Sequence, residues 1–138
     1  MKVLVDTCIW SLALRRKNPV HTKVIDQLRE LIADARVEML GPIRQEILSG
    51  IAVKEHFTKL RQYLLAFDDH PLSTKDYEMA AELYNLCRAK GIQGSNTDFL
   101  ICSAAINHEM LIFTSDKDFA SFSKVLPIKL FNLESRLN

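Results

Sequence analysis

Four acidic residues of this sequence occupy positions at which carboxylates can act together in catalysis. They are Asp6, Glu46, Asp98 and Asp116. Carboxylates that are crowded within a few ångströms repel one another, and some of them stay protonated unless a cation lies between them. Their hard oxygen atoms suit Mg²⁺ or Mn²⁺. One or two such ions can activate water and stabilise the charge that builds on a phosphate during in-line attack. The residue types therefore indicate metal-assisted hydrolysis of a phosphate ester.

Two of the four acids follow apolar runs that are typical of buried strands. The run Lys2–Val5 ends at Asp6, and the run Met110–Phe113 is followed three residues later by Asp116. In open α/β sheets, ligands bind beyond the carboxyl ends of the strands, and the ends of neighbouring strands lie about 5 Å apart. We therefore expect Asp6 and Asp116 at one edge of a sheet.

The other two acids belong to predicted helices that begin near the same edge. Glu46 lies one turn into a helix that starts directly after a second predicted strand, and Asp98 opens an apolar helix that starts near Asn96. Four carboxylates from distant positions in the sequence are thus expected to converge.

Each acid taken alone has a structural explanation as well. Asp98 comes three residues after Ser95, which is the spacing of a capping box, and an acid in a first turn favours the helix dipole. Glu46 can be a solvated helix residue, and Asp116 can cap the short helix that follows it. Asp6 is the hardest to explain in this way, because it ends a buried strand where a turn usually has Gly, Asn or a capping Ser. The set is more informative than its members.

The remaining elements must place these acids. Further strands are predicted at Arg36–Leu40, Asp68–Leu72 and Ile128–Phe131. Helices are predicted at Val20–Ala33, Ile43–Leu48, Glu55–Phe67, Ser73–Lys90, Asn96–His108 and Lys117–Ser123. Within Ser73–Lys90 the predicted buried residues are Tyr77, Ala80, Ala81, Tyr84 and Cys87. Strands that alternate with helices predict an α/β/α sandwich around a mainly parallel, roughly five-stranded sheet, formed by one domain over residues 1–138.

Composition excludes several classes of protein. The chain has 138 residues, of which 48% are hydrophobic and 25% charged, with a formal net charge of +1. No apolar run approaches the roughly 20 residues that cross a bilayer, and an acid interrupts the first apolar run almost at once, so we expect a cytoplasmic protein without a signal peptide. The three cysteines show no paired spacing, and we expect them to be reduced, buried thiols.

Four segments of the sequence resemble, in order, the motifs of PIN domains and in particular of VapC-type toxin ribonucleases. The segments are Val5-Asp6-Thr7, Gly41-Pro42-Ile43-Arg44-Gln45-Glu46-Ile47-Leu48, Asn96-Thr97-Asp98-Phe99-Leu100-Ile101-Cys102-Ser103-Ala104 and Phe113-Thr114-Ser115-Asp116-Lys117-Asp118-Phe119. The resemblance covers essentially the whole chain. Its departures are small: Cys8 stands where small hydroxyl or amide residues are common, and Cys102 and Ser103 vary an alanine-rich helix.

The resemblance implies the toxin of a type II toxin–antitoxin pair, a Mg²⁺- or Mn²⁺-dependent endoribonuclease that cleaves structured RNA such as tRNA or rRNA. It implies that all four acids are catalytic and that Asp6, Asp98 and Asp116 are metal ligands. Thr114 would be an orienting hydroxyl, with Thr7 and Asp118 as supporting residues. A homodimer, inhibited in a larger assembly by a VapB-type antitoxin, is also implied, with a segment of the antitoxin lying in a groove of the toxin.

An acidic site that takes RNA needs basic residues around it. The candidate RNA contacts are Arg15, Arg16, Lys17, Arg44 and Lys117. A run such as Arg15–Lys17 can equally be a solvated loop. Phe57, Tyr63 and Leu64 exceed what one face of their predicted helix needs, which predicts that part of this helix meets an antitoxin or a second subunit.

Two other functions remain open at the level of sequence. One is a catalytically silent PIN-like module that binds RNA or a protein partner; the intact set of four acids disfavours it. The other is a phosphohydrolase on a related α/β scaffold. It is disfavoured because Asp6-Thr7-Cys8 lacks the second acid that aspartyl-phosphate enzymes of that sort carry two residues on.

Overall fold

The computed structural model describes residues 1–14 and 22–131 of the chain. In this part the strands are β1 (Val3–Val5), β2 (Val37–Glu38) and β3 (Leu111–Phe113). The helices are α1 (Thr7–Leu14), α2 (Thr22–Ala33), α3 (Gly41–Leu48), α4 (Lys54–Leu64), α5 (Thr74–Ala89), α6 (Asn96–Asn107) and α7 (Asp118–Phe122). None of these helices is both long and apolar enough to cross a membrane.

The strands form a parallel sheet in the order β2-β1-β3. Single parallel bridges extend it at both edges, Met39 to Asp69 beyond β2 and Ile112 to Leu130 beyond β3. The predicted α/β class with a parallel sheet is confirmed. The two outer segments of the predicted five-stranded sheet are shorter than expected, since each contributes one bridge within the described residues.

The order of the strands determines how the helices cover the sheet. From β1 the chain moves to β2 and then to Asp69, and it afterwards returns past β1 to β3. Crossovers between parallel strands are right-handed, so a reversal of direction moves the connecting helices to the opposite face. The contacts agree, because α5 packs on α6 while α1 packs on α2 and α3, and α3 packs on α4.

Helices α5 and α6 begin at capping boxes. Ser73 accepts a hydrogen bond from the backbone N–H of Asp76, and Ser95 accepts one from the N–H of Asp98, while each Asp accepts one in return from the serine N–H. These side chains satisfy backbone groups that a helix start otherwise leaves unpaired. The boundaries predicted for both helices are therefore accurate to one or two residues.

One predicted face is partly wrong. Tyr77 is 54% exposed and Ala81 is exposed, although both were expected in the core. The buried positions of α5 are Asp76, Ala80, Leu83 and Cys87. Asp76 can be buried because Ser73, Asn107 and His108 all donate hydrogen bonds to its carboxylate or contact it at hydrogen-bond distance. Because Asp76 is buried, the inward face of α5 begins at Asp76 and not at Tyr77, the neighbouring residue that hydrophobicity indicates.

Candidate active site

The carboxyl ends of β1 and β3 meet at the point where the direction of the chain connections reverses. The chain leaves β1 toward β2, whereas it leaves β3 toward Leu130 on the opposite side. Loops after such neighbouring strands diverge and leave a crevice, which is where open α/β sheets bind ligands. The residues that follow these two strands are Asp6 and Thr114.

Asp6 is held from both neighbouring elements. It is 7% exposed, and its backbone N–H donates to the carbonyl of Phe113 at 2.9 Å, which continues the pairing of β1 with β3. Its Oδ1 accepts the N–H of Thr7 at 2.8 Å, and its Oδ2 accepts the hydroxyl of Thr114 at 2.8 Å. These bonds fix the orientation of a buried carboxylate at the edge of the sheet.

Glu46 reaches the site from α3. Its Oε1 accepts a hydrogen bond from the hydroxyl of Thr7 at 3.3 Å, so Thr7 contacts two of the four acids. Burial raises the pKa of Glu46, the charges of Asp6 and Asp98 raise it further, and the bond from Thr7 partly offsets the rise. Glu46 therefore interacts electrostatically with two of the other predicted acids, Asp6 and Asp98.

Asp98 lies in the first turn of α6, where it closes the capping box with Ser95. Its Oδ2 accepts the N–H of Ser95 at 3.0 Å. Burial raises the pKa of Asp98, and the negative charges of Asp6 and Asp116 raise it as well, against the lowering effect of the bonds with Ser95. The structural interpretation of Asp98 is confirmed, since it caps the helix, and its carboxylate also interacts electrostatically with Asp6 and Asp116.

Asp116 and Asp118 lie in the exposed turn that leads into α7. The N–H of Asp116 donates to the hydroxyl of Thr114 at 3.0 Å, and Asp116 Oδ1 accepts the N–H of Asp118 at 2.9 Å. Thr114 therefore links two of the acidic residues, because its hydroxyl donates to the carboxylate of Asp6 and accepts from the backbone N–H of Asp116. Asp118 contacts the site through its backbone, and its own carboxylate lies at the start of α7.

The sequence-based interpretation missed the role of Cys8. Cys87 and Cys102 are buried as expected, but Cys8 is half-buried. Its thiol lies 3.5 Å from Asp6 Oδ2 and 3.4 Å from Thr114 Oγ1, and it accepts the N–H of Ser115 at 3.3 Å. The signal was present in the sequence, since a residue two after Asp6 lies in the first turn of the helix that leaves the site.

The candidate RNA contacts have different surroundings. Arg15, Arg16 and Lys17 lie outside the described residues. Lys117 is exposed between Asp116 and Asp118. The guanidinium of Arg44 donates to Asp69 at 2.9 Å, to the carbonyl of Leu64 at 3.0 Å and to the carbonyl of Phe67. Its donors are thus engaged in holding α3 to the end of α4.

The donor set at this edge fits a hard divalent cation in its chemistry. It consists of carboxylate oxygens, and the pKa values of Glu46 and Asp98 are raised, chiefly by burial and then by the negative charges of neighbouring acids, which a cation would offset. Within residues 1–14 and 22–131, no three acidic, cysteine or histidine side chains form a group that could hold a metal ion.

A groove adjoins the site. It has a volume of about 770 Å³ and passes between α1, α3 and α4. Its lining includes Glu46, the apolar side chains of Leu14, Ile47 and Leu60, and the exposed ring of Tyr63. Of the three apolar residues expected to exceed what one face of α4 needs, Leu64 is fully buried and Tyr63 is exposed.

Comparison with known proteins identifies the fold. The FitAcB structure from Neisseria gonorrhoeae is similar with a TM-score of 0.76 at 19% identity, covering 96% of this chain and 98% of that one. VapBC2 from Rickettsia felis, bound to a DNA fragment from its promoter, gives 0.76 at 20% identity, with 96% and 98% covered. A toxin–antitoxin complex from Klebsiella pneumoniae gives 0.65 at 17% identity, with 94% and 100% covered. No curated protein matches in sequence. The family model for the PIN domain matches residues 3–125, and the chain therefore belongs to the PIN domain family.

Proposed function

We propose that this protein is the toxin of a type II toxin–antitoxin system, a Mg²⁺- or Mn²⁺-dependent endoribonuclease that cleaves structured RNA such as tRNA or rRNA. PIN domains are generally nucleases. The observation that carries the proposal is a cluster of hydrogen bonds at one edge of the sheet. Thr7 bonds to Asp6 and Glu46, and the hydroxyl of Thr114 bonds to Asp6 and to the backbone of Asp116. After burial, the charges of Asp6 and Asp116 also raise the pKa of Asp98. Like charges that lie close together destabilise the folded state. Ionisable groups in such arrangements cluster at functional sites, which supports a catalytic site for a phosphate ester.

We assign the metal ligands to Asp6, Asp98 and Asp116. When bound, the cation supplies positive charge that activates water and stabilises the charge developing on the phosphate. Asp6 is held in place for this role by Thr7 and Thr114. The capping box of α6 fixes the backbone from which Asp98 extends.

Glu46 has a different role in the proposal. Its raised pKa lets it hold a proton at a higher pH than an ordinary glutamate, and its bond with Thr7 keeps it beside Asp6. A carboxylate with these properties can accept a proton as water attacks and release it later. Asp118 and Thr114 support the turn that carries Asp116.

The cleavage experiment uses purified wild-type protein and the variants Asp6→Asn and Asp98→Asn with Mn²⁺ and a tRNA pool. Loss of cleavage in both variants is expected, while cooperative thermal unfolding shows that each variant is folded. The matched control is Asp26→Asn, an exposed acid on α2, which should cleave as the wild type does. Full cleavage by a well-folded Asp98→Asn protein would contradict the assignment of that residue, and mapping of the RNA ends identifies the target.

A VapB-type antitoxin is the proposed protein partner, and a homodimer the proposed form of the toxin within the larger assembly. The similar solved structures include VapBC2 and a toxin–antitoxin complex, which supports a partner of this kind. The groove beside Glu46 offers apolar contacts and one exposed aromatic ring to a partner segment with a basic side chain near Glu46.

The partner is tested by co-expression with the neighbouring reading frame, which is expected to encode a small DNA-binding protein. A Leu60→Glu variant should lose the complex, whereas Tyr77→Ala, an exposed ring on α5, should keep it. A complex that tolerates Leu60→Glu would place the antitoxin elsewhere. Sedimentation of the free toxin and of the complex tests the homodimer.

A catalytically silent PIN-like module that binds RNA or a protein is the second candidate. The similar solved structures share 17–20% identity with this chain and show the fold, which a silent module would share. Calorimetry distinguishes the two: absence of Mn²⁺ binding by the wild type supports the silent module, and binding that is lost in Asp6→Asn supports the nuclease.

A further inference from the structure

Gly94 lies in the segment between α5 and α6, where the backbone passes over two aromatic rings. A Cβ atom at this position would lie 2.6 Å from Cζ of Phe122 and 2.9 Å from Cε2 of Phe99. Carbon atoms that are not bonded pack at about 3.5–4.0 Å, so there is no room for a methyl group. Glycine is required here by the close approach of the backbone to the rings.

The two rings have little freedom to move away. Phe122 is fully buried and Phe99 is 1% exposed, and their centroids lie 4.9 Å apart. Phe119 packs against Phe122 at 5.1 Å, and Tyr84 packs edge-to-face on Phe99 at 5.5 Å. Protein interiors are close-packed, so a ring with neighbours on several sides cannot swing aside without displacing its helix.

Each ring belongs to a helix that carries or adjoins one of the acids. Phe99 is adjacent to Asp98 in the first turn of α6, and Phe122 is in α7, which begins two residues after Asp116. The N–H of Phe119 in α7 donates to the carbonyl of Asp116 at 3.2 Å. Ser95, the neighbour of Gly94, caps α6 and bonds to Asp98. The backbone at Gly94 therefore touches the supports of both acids at once.

We propose that Gly94 is a positioning residue that sets the separation of Asp98 and Asp116. Without a side chain, the segment lies flat against the Phe99–Phe122 pair, and α6 and α7 are held at the spacing that the pair allows. An added methyl group must push either the capping segment or α7 outward, and the two acids then move apart. The inference rests on the proposed function in one respect, namely that both acids bind the metal.

The experiment measures Mn²⁺ affinity by calorimetry in Gly94→Ala. Changes to residues that position metal ligands typically weaken affinity by about 10- to 100-fold, and we expect a loss in that range. Gly91→Ala is the matched control. Its φ of +77° makes alanine strained, but no atom lies within 4 Å of the added Cβ, so this variant should lose stability and keep its Mn²⁺ affinity.

A double variant, Gly94→Ala with Phe122→Leu, separates positioning from general damage. Leucine lacks the outer ring atoms of Phe122 that the new methyl group meets, whereas the contact with Phe99 remains. The double variant should therefore bind Mn²⁺ more tightly than Gly94→Ala alone. The comparison with Phe122→Leu alone completes the cycle. If Gly94→Ala does not fold, the double variant carries the test: it should fold and bind Mn²⁺ more weakly than Phe122→Leu does, and failure to fold or equal affinity overturns the proposal.

Unchanged Mn²⁺ affinity in Gly94→Ala would also overturn it, as would a loss no greater than that of Gly91→Ala. A wild type that binds no Mn²⁺ contradicts the proposed function instead. In that case, amide NMR spectra of the metal-free proteins still test the inference: Gly94→Ala should shift the signals of both Asp98 and Asp116, and Gly91→Ala should leave them in place. Unshifted signals in Gly94→Ala overturn the positioning role independently of any metal.

Discussion

The hydroxyl of Thr114 donates to Oδ2 of Asp6 at 2.8 Å, although 108 positions of sequence separate the two residues. The same hydroxyl accepts the N–H of Asp116 at 3.0 Å. One side chain thus joins the ends of β1 and β3, because it contacts the carboxylate of Asp6 after β1 and the backbone of Asp116 after β3.

Replacement of Thr114 by valine tests this joint. Valine keeps the shape but leaves an oxygen of Asp6 and the N–H of Asp116 without their partner, which costs about 1–3 kcal/mol of stability for buried groups. We expect Mn²⁺-dependent RNA cleavage to fall about 10- to 100-fold, as for other changes around metal ligands. Thr114→Ser should retain activity, and Thr74→Val on α5 is the control. Equal activity of Thr114→Val and wild type would remove Thr114 from the site.

Asp98→Asn should stabilise the metal-free protein at neutral pH. The pKa of Asp98 is raised in the folded state, chiefly by burial and then by the charges of Asp6 and Asp116. A raised carboxyl pKa means that the folded state binds the proton more tightly than the unfolded state does. The free energy of unfolding therefore falls as the pH rises from 3.8, the ordinary pKa of an aspartate, through the pKa of the folded state. Asparagine removes this cost and can still accept the N–H of Ser95.

Thermal unfolding with a chelator present measures the effect. The unfolding temperature of Asp98→Asn should exceed that of the wild type at pH 7, and the difference should shrink below pH 3.8, where the wild-type carboxyl is protonated in both states. Saturating Mn²⁺ should reverse the order, because only the wild type gains from binding. A variant that is less stable than the wild type at pH 7 without metal would show that Asp98 is chiefly a cap.

Asp76 should contribute stability with the opposite pH dependence. Burial opposes its charge, but hydrogen bonds from Ser73, Asn107 and His108 together lower its pKa to about 2. A carboxylate with a lowered pKa stabilises the folded state at pH values above 3.8, the ordinary pKa of an aspartate. This contribution is lost as the pH falls through about 2.

Asp76→Asn should therefore lower the free energy of unfolding by about 2 kcal/mol at neutral pH, on the scale of 1.36 kcal/mol for each unit of pKa. Urea unfolding at pH 7 and at pH 3 checks this, with a smaller difference expected at the lower pH. The exposed Asp26→Asn should show little effect at either pH. A pH-independent loss in Asp76→Asn would indicate packing rather than charge.

Arg44 should act on stability through α4. Its guanidinium donates to Asp69, to the carbonyl of Leu64 at the end of α4 and to the carbonyl of Phe67 beyond it. Arg44→Ala removes these hydrogen bonds and should cost about 1–3 kcal/mol. Lysine offers a point charge in place of a planar fork, so Arg44→Lys should recover only part of the loss.

RNA binding separates this structural role from the predicted RNA contact. The guanidinium of Arg44 already donates to three acceptors within the protein. We therefore expect folded Arg44→Lys to bind RNA with the same salt dependence as the wild type. Lys117→Ala, which removes an exposed cation, should reduce the slope of log K against log salt by about 1. A reduced slope in Arg44→Lys would restore Arg44 as a phosphate contact.

The sequence by itself determined much of the local structure. Strand β1 and the acid that ends it are apparent from a short apolar run followed by Asp6, and the serines at 73 and 95 define helix starts because a cap acts within four residues. Parallel strands that alternate with helices also predicted that the acids would lie at one edge. These features depend on neighbours in sequence, so sequence can specify them.

The tertiary structure decided which distant groups meet. The strand order β2-β1-β3 brings Thr114 to Asp6, and the same site includes Cys8, which was expected only to be buried. Arg44 was predicted from the sequence as a candidate RNA contact, and its guanidinium donates to Asp69 and to two backbone carbonyls. The pairing of a polar group depends on partners far away in the chain, and residue type alone does not reveal them.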